Sequence, residues 1–197
     1  MPSSLRSLRQ QLRQKRRSLS EGQQQAAASA LSHRLISDLS VMSAKRIAFY
    51  QPADGEIDPT IFLNWCHKTG KKIYLPVIPE GLMPNQPALL FQEFVAGETQ
   101  LVTNRFGILE PAFSKRHCIN VAFLNLVLMP LVGFDRSGNR LGMGKGYYDQ
   151  TFTTKDHGFR KPKLIGLAHS IQEAVLSPNS WDVPLDAVFT EKEKIFY

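Results

Sequence analysis

Apolar and polar positions along the chain follow two periods that take turns, and this alternation lays out most of the elements. Leu5, Leu8 and Leu12 recur at i, i+3 and i+7, and Arg6, Arg9, Arg13 and Arg16 repeat the pattern one position along. This predicts a helix with an apolar stripe beside a cationic one. "SEGQ" from Ser20 reads as a capping box, in which Ser20 and Gln23 satisfy each other's backbone donors. It opens a second helix through "AAASALSHRLISDL", where Ala27, Leu31 and Leu35 stack at fourfold spacing. "KRIAFYQ" reads as a short strand and "ADGEIDP" as a loop, with Asp58 and Pro59 as the cap and first residue of another helix that Gly70 closes. "KKIYLPVI" is the next strand, "ALLFQEFV" is extended, and "LVTNRFGILEP" reads as irregular or strand-edge. "VAFLNLVLM" is the most hydrophobic stretch, as befits a central parallel strand covered on both faces. A helix begins within "GKGYYDQTF", and "KLIGLAH" and "DAVFT" finish as strands around the loop "SPNSWDVP". Helix and strand alternate, which calls for parallel strands joined by crossovers. The expected fold is α/β: a three-layer α/β/α arrangement with a mostly parallel open sheet and crossover helices, Rossmann-like and doubly wound. The basic N-terminal helix is docked on its body.

The 197 residues contain no internal repeat, low-complexity tract or clear linker, so one domain over residues 1–197 is expected. No apolar run reaches the ~18 residues of a membrane span, since "VAFLNLVLMPLVGF" is broken by Asn125 and Pro130. Cys66 and Cys118 lie far apart without metal-site spacing and read as small buried hydrophobes in a reducing, cytoplasmic setting. The net charge of +7 is local. Six cations (Arg6, Arg9, Arg13, Lys15, Arg16 and Arg17) lie in the first 17 residues, which hold no acid, and the remainder carries 18 cations against 17 acids. Three readings suit this terminus: a solvated basic face, an arm presenting arginines to a phosphate-bearing ligand, and a mitochondrial presequence.

Backbone freedom and charge meet in "GFDRSGNRLGMGKGYYD", where five of the chain's 13 glycines lie between Gly133 and Gly146. Two familiar phosphate loops do not fit. A Walker A loop needs glycine where Asn139 stands and Ser or Thr where Gly146 stands; G-x-G-x-x-G starts at Gly142 and Gly144 but meets Tyr147. What remains is Gly142-Met143-Gly144-Lys145-Gly146, whose backbone N–H groups can converge on an anion, assisted by a helix starting near Lys145. Arg140 suits a bidentate phosphate clamp and Lys145 a point charge, while Asp149 stands one turn inside that helix, placed to hold Mg²⁺ against phosphates.

This segment, "MPLVGFDRSGNRLGMGKGYYD", resembles the signature of the 5-formyltetrahydrofolate cyclo-ligase family, also called methenyltetrahydrofolate synthetases. "LRSLR" and "RQKRRSLS" resemble that family's arginine-rich first helix, "GEID" its folate-side loop, and "KKIYLPVI" and "WDVPLDAVFT" its second strand and C-terminal segment. The resemblance implies closure of 5-formyltetrahydrofolate to 5,10-methenyltetrahydrofolate with ATP going to ADP and phosphate, and with Mg²⁺ as cofactor. By position it implies Arg9 and the run Arg140, Leu141, Gly142, Met143, Gly144, Lys145, Gly146, Tyr147 and Tyr148 for the nucleotide. Asp149 and Asp186 become the magnesium-side carboxylates. Glu56 becomes the folate contact, because a pterin offers N–H donors that a carboxylate accepts. Tyr50 lines that pocket, and Tyr147 or Tyr148 stacks on a flat ring while the other packs in the core. Where some relatives carry a lysine on the first helix this chain has Leu5, and Arg6 would face elsewhere. The expected catalytic pair is Arg140 and Lys145, and the expected partners are the two small substrates alone, bound by a monomer.

Other polar groups take structural readings. Asp54 and Asp58 flank Glu56, with Asp58 as a helix cap, and Trp181 reads as a packing anchor. His33, His67, His117, His157 and His169 show no metal spacing, and His169, just after a strand, reads as a surface or core residue. The alternatives from other classes are a basic nucleic-acid-binding module, and an α/β enzyme acting on phosphorylated metabolites without ATP.

Overall fold

The computed structural model describes residues 5–79, 88–153, 161–177, 179 and 181–197; His157 lies outside them. Strands β1 (Arg46–Ala48), β2 (Lys72–Val77), β3 (Leu90–Phe94), β4 (Leu101–Thr103), β5 (Leu109–Pro111), β6 (Cys118–Ile119) and β7 (Leu126–Pro130) fill the first two thirds. Strands β8 (Gly133–Phe134), β9 (Arg140–Leu141), β10 (Lys163–Leu167), β11 (Ala187–Phe189) and β12 (Lys194–Phe196) follow. The helices are α1 (Leu5–Arg17), α2 (Glu21–Ser37), α3 (Leu39–Met42), α4 (Thr60–Lys68) and α5 (Tyr147–Phe152).

One eight-stranded sheet runs in the order β12-β11-β10-β7-β1-β2-β3-β6. The segment β11-β10-β7-β1-β2 is parallel, while β12, β3 and β6 add antiparallel edges. Successive residues of the parallel strands point to opposite faces. Ile47, Ile73, Leu75, Leu126, Leu128 and Ile165 join Leu31 and Leu35 of α2 and Phe62 and Cys66 of α4 on one side. Ala48, Tyr74, Val127, Met129, Leu164 and Val188 pack on the other, against Phe134, Phe152 and the partly buried Tyr147 and Tyr148. Helices therefore flank the sheet, but the second face is thin among the described residues, covered by the six-residue α5, a 3-10 turn and loops.

Several expected elements differ in detail. The Ser20–Gln23 capping box is present. Helix α4 starts one residue late, at Thr60, yet Asp58 still accepts the Thr60 N–H at 2.8 Å. "LVTNRFGILEP" is an ordered hairpin, β4 against β5. Its Asn104 side chain accepts the Phe106 and Ile108 N–H groups, and Gly107 turns at φ +75°. The central strand occupies only the second half of "VAFLNLVLM", because Asn120 caps a 3-10 turn over Val121–Phe123 and Asn125 accepts the Lys45 and Arg46 N–H groups at its entrance. Cys66 is buried and its thiol is pushed up to about 12 by that burial, as expected of an inert core residue; Cys118 is half-exposed on the edge strand β6.

Candidate active site

The chain leaves β1 toward β2 and leaves β7 toward β10, so β1 and β7 part company at a topological switch point. In open parallel sheets ligands bind in the crevice at the strands' carboxyl ends there. A cavity of about 920 Å³ opens at that place, with Tyr50 beyond β1, Ile78 beyond β2 and Leu131 beyond β7 in its walls. Helix α1 covers one side with Leu5, Arg9, Arg13 and Arg16, and the turn of the β4–β5 hairpin forms another. Every expected site residue except Asp186 borders this cavity.

The glycine-rich run leaves the β8–β9 hairpin and enters α5. Gly144 and Gly146 both hold positive φ, +86° and +68°, which side chains with a Cβ resist. A Cβ at Gly144 would also stand 3.5 Å from the Arg9 guanidinium, whose Nε donates to the Gly142 carbonyl at 2.9 Å. Arg9 is thereby brought from α1 onto the loop. Leu5 borders the cavity too, whereas Arg6 does not, so the cation missing at Leu5 has no substitute from its neighbour. Lys145 is exposed at the cavity and makes no ion pair among the described residues. Helix α5 is only six residues long, so the anion-attracting dipole expected of it is small.

Arg140 is the most constrained of these groups. Its side chain is 7% exposed and pairs through Nη2 with Asp149, while Nη1 is buried without an acceptor. A buried guanidinium N–H without a partner is unfavourable, and Arg140 borders the cavity. Asp149 also accepts the Val183 N–H at 3.1 Å, and both bonds fall on Oδ1. Asp186 does not join it. It stands at the amino end of β11, its carboxylate accepting the Leu164 N–H at 2.7 Å, and it is absent from the cavity wall. The structure does not bring Asp186 to the wall of the cavity that Asp149 borders, so the expected convergence of the two is not seen. No cluster of three or more His, Cys, Asp and Glu suited to a metal occurs among the described residues.

On the other side, the Tyr50 hydroxyl donates to the Ile57 carbonyl at 2.5 Å, so the ring lines the cavity while its polar tip holds the Glu56 loop. Glu56 accepts the Ala53 N–H at 3.2 Å, and burial pushes its carboxyl up to about 7 against the pull of Arg16. Tyr147 and Tyr148 both pack on the core and both border the cavity, so neither is purely one or the other. Tyr147 accepts a hydrogen bond from Arg105 and meets Phe106 edge-on.

Two residues were misjudged from sequence, and a third, His169, takes the core alternative of its reading. Trp181, read as a packing anchor, is 64% exposed at the cavity rim. His169 is fully buried, with an unpartnered Nε2, and burial lowers its pKa. Arg16 was counted only as one of a stripe. It is fully buried and reaches both Asp54 and Glu56; the only sequence signal was its place two turns after Arg9 on the same face.

The comparisons with known proteins agree with this geometry. The family model described as the 5-formyltetrahydrofolate cyclo-ligase family matches residues 2–191. The chain belongs to that family. It is 36% identical to the 5-formyltetrahydrofolate cyclo-ligase of Escherichia coli (strain K12), over 91% of this chain and 96% of that one. With the cyclo-ligase of Haemophilus influenzae the figures are 33%, 90% and 92%. Among solved structures, the 5,10-methenyltetrahydrofolate synthetase of Aquifex aeolicus is similar, with a TM-score of 0.82 at 30% identity over 98% of this chain and 93% of that one. The sheet described above is thus that of the cyclo-ligase family.

Proposed function

We propose that the protein is an ATP-dependent ligase that closes 5-formyltetrahydrofolate to 5,10-methenyltetrahydrofolate. The observation that carries this reading, beside family membership, is the joining in one cavity of a buried, half-satisfied Arg140 with a buried carboxylate at Glu56. One group awaits an anion and the other awaits N–H donors.

The reaction has a plain chemical difficulty. A formamide is a poor electrophile and its oxygen a poor leaving group. Transfer of the γ-phosphoryl group to the formyl oxygen releases ADP and makes that oxygen able to leave. N10 of the same substrate then attacks the formyl carbon and gives up its proton to solvent, the carbon–oxygen bond breaks, and phosphate departs. Nucleophile and electrophile are tethered, so the protein need supply no covalent nucleophile. It must hold two anionic substrates in register and neutralise charge on the moving group. Arg140 is the clamp, with Nη1 as its free donor; Lys145 adds a mobile cation, and Arg9 approaches from α1. The loop from Leu141 to Gly146 offers backbone N–H groups, and Tyr50, Tyr147 and Tyr148 wall the reacting region from water. Glu56 accepts from the pterin.

Asp149 fits Mg²⁺, a hard cation usually held by one or two carboxylates together with substrate phosphates. When bound, that ion would neutralise phosphate charge; Asp149 would hold it, with Arg140 keeping the carboxylate in place. We further place the reaction in a monomer acting as one domain over residues 1–197, in a reducing, cytoplasmic setting that suits two free cysteines. The test is spectroscopic. Purified protein mixed with 5-formyltetrahydrofolate and Mg-ATP is expected to develop the near-ultraviolet absorbance of the methenyl product, and no signal without ATP. Absence of that signal with all three present refutes the reading.

A further inference from the structure

Two carboxylates stand two positions apart in the loop after β1, and the structure treats them in opposite ways. Asp54 sits at φ +54° and receives Arg13 at 2.7 Å and Arg16 at 2.8 Å, with Arg17 also paired to it. Glu56, whose side chain is 12% exposed, receives only the far edge of Arg16, at 3.4 Å. The Arg16 guanidinium is fully enclosed and divided among three residues of two segments. Its Nε donates to the Asp54 carbonyl at 2.8 Å, Nη1 to the Leu131 carbonyl at 2.9 Å, and Nη2 to both carboxylates. Gly55, at φ +74°, packs so closely on this helix that a Cβ there would lie 3.1 Å from the Arg16 carbonyl oxygen.

We propose that Arg16 is a positioning residue for the reaction, and that Asp54 competes with Glu56 for it, so that this shared guanidinium sets the orientation and charge of the carboxylate facing the pterin. The proposal rests on the reading of Glu56 as the folate contact. Arg16 touches no substrate itself; it acts through Glu56. A planar fork with fixed donors suits this role, because it can hold two acceptors at once while its anchor on Leu131 keeps it from following either.

The surroundings make the competition visible in a pH profile. Arg13 and Arg16 face Glu56 from α1, Asp54 from its own loop, Tyr50 from beyond β1 and Tyr148 from α5. Burial, with Glu56 next, raises both tyrosines, so they remain neutral over the working range. Beyond Arg16, His169 is kept neutral by its burial. Against its own burial, hydrogen bonds from the three arginines hold Asp54 at about 2, always ionised. In this group only Glu56, at about 7, changes charge near neutrality. An ionised Glu56 accepts the pterin's N–H groups, so folate affinity should fall as pH drops through that value.

The test measures the dissociation constant of 5-formyltetrahydrofolate by calorimetry from pH 6 to 9. Arg16→Met removes the cation and should move the inflection to higher pH; Arg16→Lys, which keeps the charge, should move it back. Asp54→Asn removes the rival charge, frees Arg16 for Glu56, and should move the inflection to lower pH. Asparagine tolerates positive φ, so this variant keeps the turn and decides the matter alone should Arg16→Met not fold. Shifts of about one pH unit in opposite directions are expected, which near pH 7 means roughly a fivefold loss of affinity in Arg16→Met and about a twofold gain in Asp54→Asn. An inflection unmoved in Asp54→Asn, or moved the same way in both variants, leaves Arg16 a purely structural role and overturns the proposal. Glu56→Gln should flatten the profile; a wild-type inflection in that variant removes Glu56 from the folate site, and the proposal with it.

Discussion

Replacing Glu56 by Gln should stabilise the ligand-free protein at alkaline pH while weakening its hold on folate. Burial raises the Glu56 carboxyl from its ordinary 4.5 to about 7. Below the lower value the carboxyl is protonated in both folded and unfolded chains and contributes no difference. As pH rises between the two values, the unfolded chain ionises freely while the folded one resists, so the folded state loses stability. Above about pH 7 the accumulated loss is about 3 kcal/mol, taken from the distance between those values. Glutamine has nearly the same shape, can still accept the Ala53 N–H, and cannot ionise. The stability difference between variant and wild type should therefore widen by about 2–3 kcal/mol between pH 5 and pH 8. Urea unfolding at the two pH values, at equal ionic strength, measures that change free of any constant effect of the substitution. The same variant should bind 5-formyltetrahydrofolate about 10- to 100-fold more weakly, since it gives up charge-assisted hydrogen bonds. A stability difference that is the same at both pH values would show that Glu56 is not held against its own charge. An unchanged folate Michaelis constant would show that the strain has no functional return.

Three further outcomes follow from the cavity. Arg140→Ala and Lys145→Ala should each lower kcat about 10²-fold or more, with far-ultraviolet circular dichroism unchanged; near-wild-type turnover in both variants would refute the phosphate grip. Asp149→Asn should raise the Mg²⁺ concentration needed for half-maximal rate, and an identical metal titration would remove that carboxylate from the metal. Gly166→Ala places a Cβ 2.5 Å from Leu131 Cδ1 and 2.9 Å from Leu185 Cδ1, inside a filled core. It should lower unfolding free energy by about 1–3 kcal/mol, as denaturant midpoints would record.

What was legible in the sequence was what is decided locally. The Ser20–Gln23 box, the fourfold stacking of Ala27, Leu31 and Leu35, and the closing Gly70 all depend on neighbours within a turn or two, and all are present. The glycine-rich loop was legible because positive φ and charge leave a compositional mark. The β4–β5 hairpin was missed although Asn104 and Gly107 are turn residues, because its strands are half-exposed and lack strict alternation. The antiparallel turn of β3 onto β2 was missed because a β-strand run carries no sign of its direction. Asp186 was misplaced for a similar reason: its neighbourhood is set by which end of β11 it occupies, a fact of topology that no local pattern encodes.

The basic terminus shows how far such topology can redirect a plain compositional fact. Of the cations in α1, Arg9 meets the glycine loop and Arg13, Arg16 and Arg17 meet Asp54, so four of the six point at this chain's own acceptors. The helix is fastened by few apolar contacts, Leu12 buried against Val132 and Leu141 with Leu8 beside them. Gly133 makes room, since a Cβ there would stand 2.7 Å from Leu12 Cδ1. Arg9 and Arg16 are seven residues apart, two turns on one face and about 10 Å along the axis. One helix therefore spans from the glycine-rich loop to the loop that carries Glu56. If that helix moves as one body, a ligand that draws Arg9 should be felt at Arg16, and the effect should be reciprocal, as coupling free energies are. ATP analogues should accordingly alter folate affinity in the wild type, and that effect should shrink when Leu12→Ala loosens the helix. Equal coupling in both proteins would mean that α1 transmits nothing between the two halves of the cavity.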